Sequence, residues 1–271
     1  MPAINSARES GRRTTCVSNQ KQVAFQLIAQ ADVSGFTPLA KCIDKEPADN
    51  EEKFTFHSWV IAILPMIEES DLAMLVKKGD WDIGEDYKIP VLQCKSAIVS
   101  AKKISYIVNG GIAGDHTNPK YSLFLIDKYG QKIEDMKSTS KTLVLSENLH
   151  AGEWDWGIGC ANGEDYNERV ADLEANFAFT YPLADFPNNS PDKTSECSTA
   201  FGINTVYFIN EGESSEPRIS TARPSSNHPG VVVSSFADGG VRPLNDNIDK
   251  EVYIKLCQPS NTNIDAKELG W

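Results

Sequence analysis

The first thirty or so residues constrain the fold most. The stretch PAINSARESGRRTTCVSNQKQVAFQLIAQA reads as one helix over residues 2 to 31. Pro2 suits a first helical turn, and Ser34-Gly35 with Pro38 ends the run. Toward its end, Val17, Ala24, Leu27, Ile28 and Ala31 recur at helical steps as an apolar stripe. Toward its start, Ile4, Ala7, Gly11, Thr14 and Ser18 make a face of small residues, with Arg8, Glu9, Arg12 and Arg13 around it. Such a face lets another helix approach closely. A helix that begins with no evident core beneath it suits an assembly better than a compact monomer.

The rest of the chain reads as α+β. Residues 44–53 (DKEPADNEEK) are predicted to form an acidic loop, and 57–68 (HSWVIAILPMIE) a partly helical apolar segment that Pro65 kinks or ends. A short helix follows over 70–78. Strands are predicted at 104–109, 121–126, 141–146, 205–209 and 231–236, where β-branched and aromatic residues are bounded by turn residues. Residues 185–200 and 211–229, rich in Ser, Pro, Asn and Glu, read as long surface loops. A last helix over 248–257 takes Asp246 or Asn247 as its cap, and 258–271 reads as irregular. The expected division is a helix over 1–33 and a β-rich, mostly antiparallel head over 34–271 with a C-terminal hairpin at 228–244.

Composition narrows the partners. A net charge of -12 and a pI near 4.8 disfavour nucleic acid and anionic membrane surfaces. No run of eighteen apolar residues occurs. The six cysteines, Cys16, Cys42, Cys94, Cys160, Cys197 and Cys257, contain no CxxC pair, which argues against zinc ribbons and thioredoxin motifs. They are read as candidate disulfide cysteines, with buried free thiols as the alternative.

Four constellations invite a chemical reading. His228 and Asp238 bracket a strand, so extended backbone puts them at its opposite ends and argues against a catalytic dyad. Asp238-Gly239 is a tight-turn signal, and Val241-Arg242-Pro243-Leu244 returns as the second strand. His228 is expected to be buried, its ring hydrogen-bonded to a neighbouring loop. Glu147-x-x-His150-x-x-Glu153 has metal-ligand spacing, but it follows a strand and runs into Gly152, so a helical metal site is disfavoured. Trp154 and Trp156 suit a core better than a sugar-stacking platform. Asp80, Asp82 and Asp86 resemble the front of a calcium loop, but Gly is absent from its sixth position and Val91 stands where the bidentate Glu belongs. Calcium is thus the one cofactor left open. Nucleophile elbows, P-loops and dinucleotide fingerprints are absent, so the reading is a non-enzyme.

Set together, these residues resemble a known pattern. Pro2, Ala3, Ala7, Arg8, Glu9, Arg12, Arg13, Cys16, Asn19, Lys21 and Gln22 match the helix just past the membrane-embedded half of type IV prepilin-like proteins. The resemblance is to a large prepilin-like family of planctomycetes and related bacteria with no assigned function. Trp59 to Glu68, Val91 to Cys94, Ser105 to Gly110 and Thr142 to Glu147 also look like segments of that family, though Lys95 replaces a proline. His228, nine residues, then Asp238-Gly239 is similar to its C-terminal signature. The span 150–225 matches no part of the pattern, and the prepilin cleavage motif and most of the hydrophobic half of the helix are missing. The chain is therefore expected to begin downstream of a membrane anchor.

The resemblance implies a structural subunit of a type IV pilus or type II secretion pseudopilus. It would self-assemble through the helix face of Ile4, Ala7, Gly11 and Thr14 and display its head outside the cytoplasm. Membrane anchoring would come only through the missing upstream segment. The alternative is an extracytoplasmic protein that binds a solute or glycan.

Overall fold

The computed structural model describes residues 2–48, 51–79, 83, 86–97, 100–112, 122–160, 173, 176–181 and 223–259. Helix α1 spans Pro2–Ser34. It stops where the sequence predicts: Gly35 adopts φ 93°, and its N–H closes on the Ala31 carbonyl at 3.2 Å. Glycine takes this left-handed cap at little cost. A side chain there would also run into the carbonyl oxygen of Gly130.

After α1 come β1 (Ala40–Ala48), β2 (Glu51–Ser58), α2 (Trp59–Ile63), a 3-10 turn (Leu64–Ile67) and α3 (Ser70–Lys77). Then follow β3 (Tyr106–Ile112), β4 (Leu143–Glu147), β5 (Gly157–Cys160), β6 (Ala178–Tyr181), β7 (Val231–Phe236), β8 (Val241–Asn245) and α4 (Lys250–Cys257). Strands β1-β2-β5 form a small antiparallel sheet. The main sheet runs β6-β3-β4-β7-β8, antiparallel except where β6 lies parallel to β3. The fold is α+β: a long N-terminal helix packed against a mixed, mostly antiparallel five-stranded sheet. No helix among the described residues is long and apolar enough to cross a membrane.

The structure departs from the sequence reading in several places, and β5 and β6 fall where no strand is predicted. In the acidic stretch 44–53, predicted as a loop, the described residues 44–48 and 51–53 are instead paired strand residues of β1 and β2, with Pro47 opposite Glu52. Pro47 is tolerated because β1 is an edge strand, where a missing N–H breaks no ladder on the open side. The described part of the predicted strand 121–126, residues 122–126, does not make a strand. Leu123, Phe124 and Leu125 are buried, but regular pairing is limited to one bridge from Ile126 to Ala40. Helix α4 is capped by Asp249, whose Oδ1 accepts from Val252 N–H at 3.4 Å, rather than by Asp246 or Asn247. The predicted strand 205–209, the span 185–200 and most of 211–229 lie outside the described residues.

The core lies between α1 and the main sheet and continues under the loops. Phe36, Trp59, Tyr106, Phe124, Trp154, Phe177, Phe179 and Phe236 are fully buried or nearly so. Each such aromatic removes roughly 150–250 Å² from water, which makes this group the largest apolar contribution to the fold. Asn109, also fully buried, ties three elements together. Its Nδ2 donates to the carbonyls of Leu143 on β4 and Cys257 on α4, at 2.7 and 2.9 Å, while its Oδ1 accepts from Gly111 N–H.

Candidate functional site

The docked side of α1 carries Glu9, Cys16, Gln20, Val23, Leu27 and Ala31. These residues recur at steps of three, four and seven, so at about 100° per residue they share one face. Cys16, Gln20, Val23, Leu27 and Ala31 are completely buried. The sequence reading placed the apolar stripe slightly off this line, since Val17 and Ile28 are only half-buried. Three of the six residues on the face are polar or sulfur-bearing, and each reaches a different part of the head.

Gln20 meets the sheet where a ladder stops. Pairing between β4 and β7 runs to Ser146↔Ser234, whose hydroxyls are 2.8 Å apart. The next residue on β7, Val233, gives both backbone groups to side chains. Its N–H donates to Glu147 Oε2 at 2.9 Å, and its carbonyl accepts from Gln20 Nε2 at 2.7 Å. Ser235 Oγ then donates to Gln20 Oε1 at 2.9 Å. Buried backbone groups need partners, and here a helix side chain supplies one.

His228 sits in the turn that leads into β7. Its N–H donates to Ser226 Oγ at 3.1 Å, which fixes the backbone and aims the ring inward. The ring is buried between two carboxylates. Nδ1 lies 2.5 Å from Glu9 Oε1 on α1, and Nε2 lies 3.1 Å from Glu147 Oε1 on β4. Nε2 is also 3.4 Å from Cys94 Sγ. Glu147 Oε1 is ion-paired by distance but has no aligned hydrogen bond. Ser96 Oγ hydrogen-bonds the Glu9 carboxylate, and Arg12 stands 3.7 Å from it.

The electrostatics follow from this geometry. Burial disfavours the charged imidazolium, but the contacts with Glu147, then Glu9, outweigh it and hold the His228 pKa above its usual range. Burial likewise works against the charged form of Glu9. The hydrogen bonds from His228 and Ser96 and the nearby positive charges prevail, and its pKa lies below the usual carboxylate value. The proton is thus held between helix and sheet.

Cys16 and Cys94 form a disulfide with Cα atoms 5.1 Å apart. Asn19 supports the same junction, its Nδ2 donating to the carbonyls of Pro90 and Gln93. The ligand-type atoms of Cys16, Cys94, Glu147 and His228 all lie within 4.8 Å of one another, and all four residues are buried.

The predicted site residues fall as follows. His228 is buried as expected, but its ring meets a helix and a strand as well as the loop that carries Cys94. Asp238 lies at the far end of β7, pairing with Arg242 at 2.6 Å and accepting from Gly240 N–H at 2.8 Å. Gly239 has φ 78°, the conformation for which the turn needs glycine. Glu147 does not join His150 and Glu153, both exposed; it turns inward to His228 instead. Trp154 is buried, its indole donating to the Tyr87 carbonyl, and Trp156 packs against Phe177. Cys257 is a buried free thiol rather than a disulfide half, its pKa raised by burial. Its sulfur accepts from the Tyr253 hydroxyl, a contact that works against that rise. The side chains of Cys42, Cys160 and Cys197, and Asp80 and Asp82, lie outside the described residues, while Asp86 is exposed. Ile4, Ala7, Gly11 and Thr14 are exposed on the face of α1 opposite the docked one. The sequence reading missed the pairing of Glu9, Gln20 and Glu147. Its one usable signal was that Glu9, Cys16 and Gln20 fall in register with the buried apolar residues.

A family model described as a protein of unknown function (DUF1559) matches residues 5–251. No curated protein and no solved structure matches the chain.

Proposed function

Because the chain belongs to the DUF1559 family, whose description assigns no activity, we propose a function from the helix: a subunit of a pilus- or pseudopilus-like filament outside the cytoplasm. The observation that carries this reading is the two-sidedness of α1. One face is anchored by Glu9, Cys16 and Gln20. The opposite face presents Ile4, Ala7, Gly11 and Thr14, all exposed, and extends to Phe25 and Val33, which are 64% and 76% exposed. The occupant we assign to this face is α1 of further copies. Small residues permit close helix approach, and the exposed apolar residues gain from burial. The Cys16–Cys94 disulfide is in keeping with an oxidising compartment. The alternative, a solute- or glycan-binding protein, has no such support, since Trp154 is committed to the core.

The test is assembly in the producing cell. Surface fractions from cells carrying an epitope-tagged protein are expected to contain labelled filaments by immunogold electron microscopy. Ala7→Trp and Gly11→Trp are expected to abolish them while leaving the circular dichroism spectrum and disulfide intact. A protein that is never found in polymers, in the cell or after purification, would refute the reading.

A further inference from the structure

The cluster around His228 is built like a metal centre. Its four donors are two cysteine sulfurs, one imidazole nitrogen and one carboxylate oxygen, drawn from α1, the loop before β3, the end of β4 and the turn before β7. A tetrahedral zinc site of such donors has its ligand atoms about 3.3–3.8 Å apart, given metal–ligand distances of about 2.0–2.3 Å. His228 Nε2 already stands 3.4 Å from Cys94 Sγ and 3.1 Å from Glu147 Oε1. Two further observations point the same way. Glu147 Oε1 is buried, aimed into the cluster, and has no aligned hydrogen bond. Glu9 engages Nδ1, which leaves Nε2 free to face the other donors. A carboxylate on the remote nitrogen of a ligating histidine is the arrangement that fixes the ring and its tautomer in metal sites.

We propose that reduction of the Cys16–Cys94 bond converts this junction into a binding site for one zinc-class divalent cation, held by Cys16, Cys94, His228 and Glu147. A dithiol supplies the two electrons and two protons: it leaves as its own disulfide, and Cys16 and Cys94 become thiols. Metal binding then releases both thiol protons and, from a protonated His228, the Nε2 proton to solvent, so that the ring ligates through neutral Nε2 while its Nδ1–H donates to Glu9. The helix is thereby fastened to the head in either redox state, by a covalent bond to the loop before β3 in one and by a metal shared with that loop, β4 and the turn before β7 in the other. The inference does not depend on the filament reading.

The test uses the whole chain, reduced under anoxic conditions with a phosphine, which becomes its oxide and competes poorly for metal. Cobalt(II) is the probe. One equivalent per chain is expected to give the visible ligand-field bands of tetrahedral cobalt and a thiolate charge-transfer band, both erased when zinc is added and absent from the oxidised protein. Zinc X-ray absorption of the reduced protein is expected to show two sulfur and two nitrogen or oxygen neighbours. Glu9→Gln should weaken cobalt by about 10- to 100-fold with the thiolate band retained. Because the chain has six cysteines, thiolate binding by an unfolded form must be told apart. Four sulfur neighbours, or cobalt affinity unchanged in both His228→Gln and Glu147→Gln, would overturn the proposal. So would a reduced protein that takes up no cobalt.

Discussion

Glu9 Oε1 lies 2.5 Å from Nδ1 of His228, a residue 219 positions further along the chain. This contact gives the histidine of the His-x9-Asp-Gly stretch its role. His228 closes a polar junction between helix and sheet, Asp238-Gly239 makes the turn, and the nine residues between them hold β7.

The junction predicts a stability window in pH for the disulfide-bonded protein. His228 has a folded pKa raised above the ordinary imidazole value of 6.5, so its contribution is complete below 6.5 and is lost as pH rises through the folded value. Glu9 has a folded pKa lowered below 4.5, so its contribution is complete above 4.5 and is lost as pH falls through the folded value. Arg12 and Ser96 on one side, and Glu147 on the other, are the neighbouring groups. Stability of the native protein relative to Glu9→Gln should therefore be greatest between about pH 4.5 and 6.5. Urea midpoints across pH, with an NMR titration of His228, check this; a His228 pKa below 6.5 would contradict it.

Glu147 is buried, with its two oxygens divided between His228 and the N–H of Val233. Without Glu147 the buried Val233 N–H loses its partner and His228 keeps Glu9 alone, at a cost of about 1–3 kcal/mol. Glu147→Ala should lower the unfolding free energy by that amount at pH 6, whereas Glu153→Ala, at an exposed position, should stay within about 0.5 kcal/mol. Equal effects from the two substitutions would mean that Glu147 is not in the junction.

Gln20→Leu keeps roughly the same volume but removes the partners of the Val233 carbonyl and Ser235 hydroxyl. Each buried group left unsatisfied costs about 1–3 kcal/mol. Hydrogen exchange should also quicken locally in β7. Native-like protection there in the variant would argue that the bonds from Gln20 are dispensable.

At Gly11 the folded subunit and the proposed filament have opposite preferences. A Cβ there would meet nothing within 4 Å, so Gly11→Ala should stabilise the isolated subunit by about 0.5–1 kcal/mol through the helix backbone. In the proposed assembly the same methyl group blocks close approach of a second helix, and fewer filaments are expected. Thermal melts and filament yields read the two effects separately; a gain in both would place the interface elsewhere.

Helix α1 and the β7–β8 hairpin were legible because they carry local signals. The helix shows in Pro2, the 3.6-residue recurrence and Gly35, and the β7–β8 hairpin in its valines and Asp238-Gly239 turn. The β1–β2 hairpin was not legible, because Asp44, Glu46, Glu51 and Glu52 carry loop composition and only edge placement accommodates Pro47. The junction was hidden for a different reason. Glu9 and Gln20 look like solvent-facing residues until a partner is supplied by a turn or strand far away in sequence. Only the disulfide option was visible beforehand, and the pairing of Cys16 with Cys94 needed the fold.

The bond between Cys16 and Cys94 has a mechanical consequence. When tension is applied between α1 and the C-terminal part of the chain, it passes from Cys16 straight to Cys94. The 78-residue separation between them corresponds to roughly 270 Å of extended backbone. That length, which includes the β1–β2 hairpin, α2 and α3, stays out of the line of force and cannot pay out while the sulfur bridge is closed. A pulled subunit would extend first elsewhere, and reducing the bridge would lengthen its maximum reach by that hidden slack.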